Sequence, residues 1–126
     1  MEKWQVTPDY GAAHNVIFDV SIPKEEAARI FVVGCNMGMD ICYLQNKYPC
    51  AQISGATENW AEAALAGKYL DVSYCPNLEQ DVFTLLTGKY DYVLLAEKDR
   101  QYLDFDKYIS KLMNYLTPDG SINISE

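Results

Sequence analysis

A turn with two glycines is the stretch whose backbone could bind a ligand. The sequence "FVVGCNMGMD" (31–40) runs from apolar residues into Gly34, reaches Gly38 four residues later and then takes on helical spacing. Glycines let the chain turn tightly and bring its backbone close to a ligand. N–H groups at the start of the following helix favour an anionic or polar ligand group. The turn is predicted to bind a nucleotide-like ligand, and the alternative is that both glycines serve only close packing of strand and helix.

The turn does not match the common nucleotide-binding or hydrolase signatures. In the dinucleotide pattern G-x-G-x-x-G, Asn36 occupies the place of the second glycine and Met39 that of the third. The sequence has no phosphate-binding Gly-Lys-Ser/Thr, no Gly-x-Ser-x-Gly elbow and no evident Cys–His pair. A nucleoside triphosphatase or a serine or cysteine hydrolase is therefore not predicted.

The cysteines do not have the spacing of a metal site. None forms a Cys-x-x-Cys pair, and the only histidine, His14, is distant from them in sequence. They are predicted to be reduced, buried thiols, and no metal is expected. The four are Cys35, Cys42, Cys50 and Cys75.

Composition and net charge limit the classes of protein to which this chain can belong. The chain has 126 residues, 49% hydrophobic and 22% charged, which predicts one globular domain over 1–126 with a real core. The formal net charge of −8 argues against binding nucleic acid or an anionic membrane surface. No apolar run approaches the roughly 20 residues that span a bilayer, and the N-terminus has no signal pattern, so a cytoplasmic location is predicted.

Strands and helices are predicted to alternate after an irregular N-terminal arm over 1–23. Asn59 is the predicted N-cap of the second helix, and 117–120 ("TPDG") is a predicted turn in which Gly120 permits a positive φ. This alternation predicts a mostly parallel sheet covered on both faces, with ligands beyond the carboxyl ends of its strands. The predicted strands are 30–33, 51–55, 71–74, 90–96 and 121–125, and the predicted helices are 37–48, 60–70, 79–88 and 105–116.

Four stretches together resemble the class I S-adenosylmethionine-dependent methyltransferases over 22–125. "RIFVVGCNMG" resembles their first motif, and "AQISGATENWAEAALAGKYLDV" resembles their second strand and the helix after it. "GKYDYVLLAE" is similar to their fourth strand, and "YISKLMNYLTPDGSINIS" to the last helix, turn and fifth strand. The resemblance is closest to domains found beside glycan-modifying enzymes. It implies an α/β, Rossmann-like three-layer sandwich of about five strands that lacks the family's last two.

The resemblance also implies S-adenosylmethionine as cofactor, and it shows departures from the family. Val32 stands where the family often has an acid, Thr57 stands at the ribose-binding acid with Glu58 one place late, and Asn77 replaces an aspartate. These departures predict weakened cofactor binding. The cofactor contacts that the resemblance implies are Gly34, Cys35, Asn36, Gly38, Glu58, Asn77 and Leu78.

Activity of this chain is expected to be low. Glu97, Asp99 and Arg100 are polar candidates after the fourth strand, with a solvated loop as the alternative, and Gln101 replaces a histidine common in relatives. The sequence does not identify the methyl acceptor. One alternative function is a non-catalytic assembly or scaffolding domain of a glycan-modifying system. Another is a fragment of a nucleotide-binding oxidoreductase, which the missing glycines disfavour.

The fifth predicted strand, 121–125, is expected to be a sheet edge. Its unpaired backbone groups and the apolar Ile122 and Ile124 would then favour pairing with a second copy or a neighbouring domain, or covering by the N-terminal arm.

Overall fold

The computed structural model describes residues 4–7, 27–35, 39–95 and 102–125. The strands are β1 (Trp4–Thr7), β2 (Arg29–Val33), β3 (Gln52–Thr57), β4 (Val72–Tyr74), β5 (Tyr90–Leu95) and β6 (Leu116–Ser125). The helices are α1 (Met39–Lys47), α2 (Trp60–Ala66), α3 (Leu78–Asp81) and α4 (Phe105–Met113), and a 3₁₀ turn over Val82–Thr84 follows α3 directly. None of the helices in these residues is long and apolar enough to cross a membrane.

The strands form one sheet in the order β1-β6-β5-β2-β3-β4. Each neighbouring pair is parallel. Parallel strands need crossover connections, and the helices between them supply these connections. The predicted Rossmann-like α/β fold is therefore confirmed, and all five predicted strands form, with boundaries shifted by a few residues.

Helices cover both faces of the sheet. On one face Ile30 and Val32 of β2 share a buried cluster with Ile41 and Leu44 of α1, and α2 contributes Ala63 to it. The other face has a second buried cluster, which joins strand residues to α3 and α4 and consists mainly of Phe31, Val33, Val93, Leu78, Val82, Tyr108 and Leu112. Strand β2 is buried on both faces, as its continuous apolar run predicts.

The N-terminal segment contains a strand that the sequence analysis missed. Strand β1 pairs in parallel with β6 from Trp4↔Ile122 to Thr7↔Ser125. The prediction of an irregular arm is therefore wrong for 4–7, and 8–23 lies outside the described residues. The prediction that 121–125 is a free edge is also wrong, and the expected alternative, covering by the N-terminal arm, is what the structure shows, because β1 satisfies the outward backbone groups of β6. Self-association through that strand is therefore no longer expected.

The predicted turn at 117–120 lies within β6. Between two paired positions, Tyr90↔Leu116 and Tyr92↔Ser121, β5 advances by two residues and β6 by five, so the extra residues bulge out. Gly120 is not among the described glycines with positive φ. A Cβ there would lie 2.8 Å from the carbonyl oxygen of Tyr90, so glycine is required for close approach and not for a left-handed conformation.

The core under α4 predicts a large effect for one substitution. Leu112 is fully buried, so Leu112→Ala should lower the free energy of unfolding by about 2–5 kcal/mol, through lost burial and a residual cavity. Urea denaturation followed by circular dichroism measures this. Leu103→Ala is the matched control, because Leu103 is 85% exposed and its loss should cost no more than about 0.5 kcal/mol. Equal losses in the two variants would contradict this description of the core.

Candidate functional site

The order in which strands join the sheet reverses at β2. Strands β3 and β4 are added on one side of β2, and β5 then lies on its other side. Strands β2 and β5 are neighbours, yet the helix after β2 packs on one face and the helix after β5 on the other. In sheets of this kind, a ligand is expected to bind beyond the carboxyl ends of two such strands. Gly34, the residue directly after β2, stands at this position.

The turn at Gly34 is anchored to the neighbouring strand. Gly34 has a φ of 79°, in the left-handed region that favours glycine. Its N–H donates to the carbonyl oxygen of Ala56 at 2.8 Å, and the N–H of Cys35 donates to the same oxygen at 3.0 Å. The Cys35 side chain is fully buried, so the thiol belongs to the core. Asn36 and Gly38 lie outside the described residues.

Thr57, at the position of the family's acid, is part of a local turn. Its side chain is 1% exposed, and its Oγ1 accepts the N–H of Asn59 at 3.1 Å. Its carbonyl oxygen accepts the N–H of Cys75 at 2.9 Å, which links the ends of β3 and β4. Thr57 therefore uses its side-chain and carbonyl oxygens in the connection between the strands.

Glu58 links two loops that the sequence analysis assigned to the site. Its Oε2 accepts the backbone N–H of Leu78 at 2.8 Å, across 20 residues of sequence. The Glu58 side chain is half-buried, and that of Leu78 is fully buried. The structure thus brings Glu58 and Leu78 into contact with each other.

Asn77 caps the helix that follows it. Its Oδ1 accepts the N–H of Glu79 at 3.0 Å and that of Gln80 at 3.1 Å. Its carbonyl oxygen accepts the thiol of Cys75 at 3.4 Å. The side-chain oxygen that the resemblance would direct at a ligand therefore stabilises the start of α3.

Gly55 is a residue that the sequence analysis missed. A Cβ at this position would lie 2.6 Å from Cδ1 of Ile41 and 2.9 Å from the carbonyl oxygen of Val32. The absence of a side chain lets α1 pack directly on β3, beneath the Gly34 turn. The signal in the sequence was a glycine inside a strand, which often marks a close approach of another element.

The loop after β5 is anchored where it rejoins α4. The Glu79 carboxylate accepts the N–H groups of Leu103 and Asp104 at 2.8 and 3.0 Å, and Asp104 caps α4 by accepting the N–H of Lys107. These contacts fix the end of the loop that carries the polar candidates of the sequence analysis. The candidates themselves, Glu97, Asp99, Arg100 and Gln101, lie outside the described residues, as does His14.

The cysteines only partly follow the prediction. All four remain thiols, and Cys35 and Cys75 are buried. Cys42 and Cys50 are exposed, so the expectation of buried thiols is wrong for this pair. Cys42 lies on α1 and Cys50 follows Pro49 in the turn after it, and both side chains are exposed.

Comparison with known proteins identifies relatives of this fold. No family model matches the chain. A curated relative, the uncharacterized protein RP028 of Rickettsia prowazekii, is 24% identical over 129 residues, which cover 94% of this chain and 50% of that protein. PKMT2 from Rickettsia typhi superimposes with a TM-score of 0.60 at 21% identity, over 82% of this chain and 21% of its own.

Solved methyltransferases share the same architecture. The plantazolicin methyltransferase BpumL, solved with SAH and a triazolic desmethylPZN analog, has a TM-score of 0.63 at 19% identity, over 77% of this chain and 38% of its own. PKMT2 has also been solved with AdoHcy. SAH and AdoHcy are two abbreviations for the same compound, S-adenosylhomocysteine. The chain spans half or less of the length of these proteins. Within that span, the chain has the Rossmann-like α/β fold of S-adenosylmethionine-dependent methyltransferases.

Proposed function

We propose that this chain is a methyltransferase-like domain that binds S-adenosylmethionine or its demethylated product weakly at the turn from Gly34 to Gly38. The observation that carries the proposal is the position of Gly34. It has a positive φ and follows β2 at the point where the connections of β2 and β5 diverge to opposite faces. Solved neighbours with the same fold hold SAH.

The backbone of the Gly34 turn would receive the amino-acid end of the ligand. The loops that carry Glu58 and Asn77–Leu78 would flank the nucleoside, since they follow the carboxyl ends of the parallel strands β3 and β4. S-adenosylmethionine, when bound, supplies a sulfonium methyl group for in-line displacement. The contribution of this chain is to hold the ligand in a fixed position at the strand ends.

Binding is expected to be weak because polar contacts of the family are missing. Val32 is fully buried and apolar, and the side-chain oxygens of Thr57 and Asn77 accept backbone N–H groups of this chain. A hydrogen bond to a charged group contributes about 1.5–3 kcal/mol. Losing two such bonds would weaken binding by about 3–6 kcal/mol, which is roughly a hundredfold or more.

Isothermal titration calorimetry with SAH tests the proposal, with NAD⁺ as the comparison ligand. We expect saturable SAH binding and no NAD⁺ binding. Heat from NAD⁺ alone would favour the oxidoreductase alternative. No heat from SAH, with a protein that still unfolds cooperatively, would refute the proposed cofactor.

Methyl transfer by this chain is expected to be negligible. Weak cofactor binding lowers the population of any productive complex, and transfer also requires an acceptor held within near-attack distance of the methyl group. Incubation with methyl-labelled S-adenosylmethionine and a panel of glycans, small molecules and proteins measures this. Transfer that is lost on substitution of Gly34 would show that the chain is an active enzyme.

A second candidate function is a non-catalytic assembly or scaffolding domain. The observation that favours it is that Glu58 and Asn77 already satisfy backbone N–H groups of this chain, so these loops have a stable structure without a ligand. A chain that folds cooperatively and binds neither SAH nor S-adenosylmethionine would support this function over the first.

A further inference from the structure

The first N–H groups of α3 are satisfied by two different side chains. Asn77, the cap residue, accepts those of Glu79 and Gln80 from within the same loop. The N–H of Leu78 instead donates to the Glu58 carboxylate, which comes from the loop after β3. This bond therefore connects the loop after β3 to the loop after β4.

We propose that Glu58 is an internal competitor of the nucleoside, so that a ligand must displace its carboxylate from the Leu78 N–H to bind. This proposal rests on the proposed function and reverses the role that the resemblance implies for Glu58, that of a ribose contact. The hydrogen bond between Glu58 and Leu78 would then lower the affinity of the site for SAH.

The geometry supports competition because one donor is shared. A backbone N–H can make one well-aligned hydrogen bond, and at 2.8 Å the one to Glu58 is short. Its acceptor is a carboxylate, and such charge-assisted bonds are about twice as strong as neutral ones. A neutral ring nitrogen or hydroxyl of a nucleoside is a weaker acceptor for this N–H, so binding at this position would carry the cost of breaking the internal bond.

Burial makes the contact persistent. Leu78 is fully buried on the α3 side of the sheet, which fixes the position of its backbone. Thr57 and the turn to Asn59 hold the other partner, because the Asn59 N–H donates to Thr57 and the Cys75 N–H donates to the Thr57 carbonyl. Both ends of the Glu58–Leu78 contact are thus set by packing and backbone hydrogen bonds.

The test compares SAH affinity in the parent chain, Glu58→Ala and Glu58→Gln by calorimetry. Glu58→Ala is expected to bind SAH about tenfold more tightly, because a charge-assisted bond no longer has to be broken. Glu58→Gln, which keeps a neutral acceptor, is expected to lie between the two. Glu62→Ala is the matched control, with the same change of charge four residues away in the first turn of α2, and it should bind as the parent does.

A second readout needs no ligand. Amide hydrogen exchange of Leu78, followed by NMR, should be at least about tenfold faster in Glu58→Ala than in the parent, because the N–H loses its partner. Glu62→Ala should not change this rate. An unchanged Leu78 rate in Glu58→Ala would show that the contact does not protect the N–H and would overturn the proposal.

The binding outcomes separate this inference from the proposed function. Weaker SAH binding by Glu58→Ala would make Glu58 a ligand contact and overturn the competition. Unchanged affinity with faster Leu78 exchange would overturn it as well, while the proposed function stands. If neither the parent nor any variant binds SAH, the proposed function fails and the inference fails with it.

Discussion

Gly55→Val is expected to lower the free energy of unfolding by about 3 kcal/mol or more, the upper end of the range for overpacked cores. Of two atoms that the new side chain would contact, one can move away and the other cannot. The Cδ1 of Ile41 can move, but the carbonyl oxygen of Val32, 2.9 Å from the Cβ position, belongs to the strand that pairs with Gly55. Relief would require shifting the β2–β3 pairing on which the Gly34 turn depends.

Chemical denaturation measures the Gly55→Val effect. Ser54→Val is the matched control, because it places the same side chain at the neighbouring, half-buried position of β3, which faces the other side of the sheet. The control should change stability by about 1 kcal/mol or less. Equal losses at the two positions would show that close packing of α1 on β3 does not require a glycine.

Gly34→Val is expected to remove detectable SAH binding. A φ of 79° is unfavourable for a β-branched residue, so the turn that the proposed ligand contacts would have to change its backbone conformation. The backbone strain should also lower the free energy of unfolding by at least about 1–2 kcal/mol. Calorimetry with SAH on protein confirmed to be folded gives the result, and Gly34→Ala serves as a milder variant.

Gly88→Val is the control that separates strain from binding. Gly88 also has a positive φ, of 69°, but it precedes β5 at the opposite end of the sheet. The two valine variants should lose similar stability, while only Gly34→Val loses SAH binding. Equal loss of binding in both would show that general destabilisation is responsible and not a changed turn at the site.

Local patterns in the sequence predicted most of the layered fold. The continuous apolar run before Gly34 predicted a strand buried on both faces, and this is confirmed for β2. Asn59 was the predicted N-cap of α2, and its Oδ1 accepts the N–H of Glu62 at 3.0 Å. These features depend on neighbouring residues and can therefore be inferred without the tertiary structure.

The features that were missed depend on distant partners. Strand β1 is four residues long, and its pairing partner β6 lies more than a hundred residues away in the chain. The close approach at Gly55 depends on where α1 packs, and Gly120 meets the carbonyl oxygen of Tyr90 from another strand. In these cases packing and strand pairing decide the local structure, and local propensity does not.

The candidate site stays a prediction, and the structure adds contacts within it that the sequence did not indicate. The family resemblance assigned Glu58 and Asn77–Leu78 to one candidate site, and the structure places the loops that carry them after two adjacent parallel strands, β3 and β4. The sequence did not predict that Glu58 contacts the Leu78 N–H or that Asn77 directs its oxygen at its own helix. Those bonds depend on side-chain positions set by packing across the sheet.

NMR mapping of SAH binding on the ¹⁵N-labelled chain is the sharpest test of the proposed ligand site, because it reports both whether the ligand binds and where. We expect SAH to shift the backbone amide signals of Gly34, Cys35, Glu58 and Leu78, at the carboxyl ends of β2, β3 and β4. Signals at the amino ends of the strands, such as those of Gln52 and Tyr90, should stay unchanged. Shifts confined to the amino ends, or no shifts at saturating SAH, would contradict the proposed site.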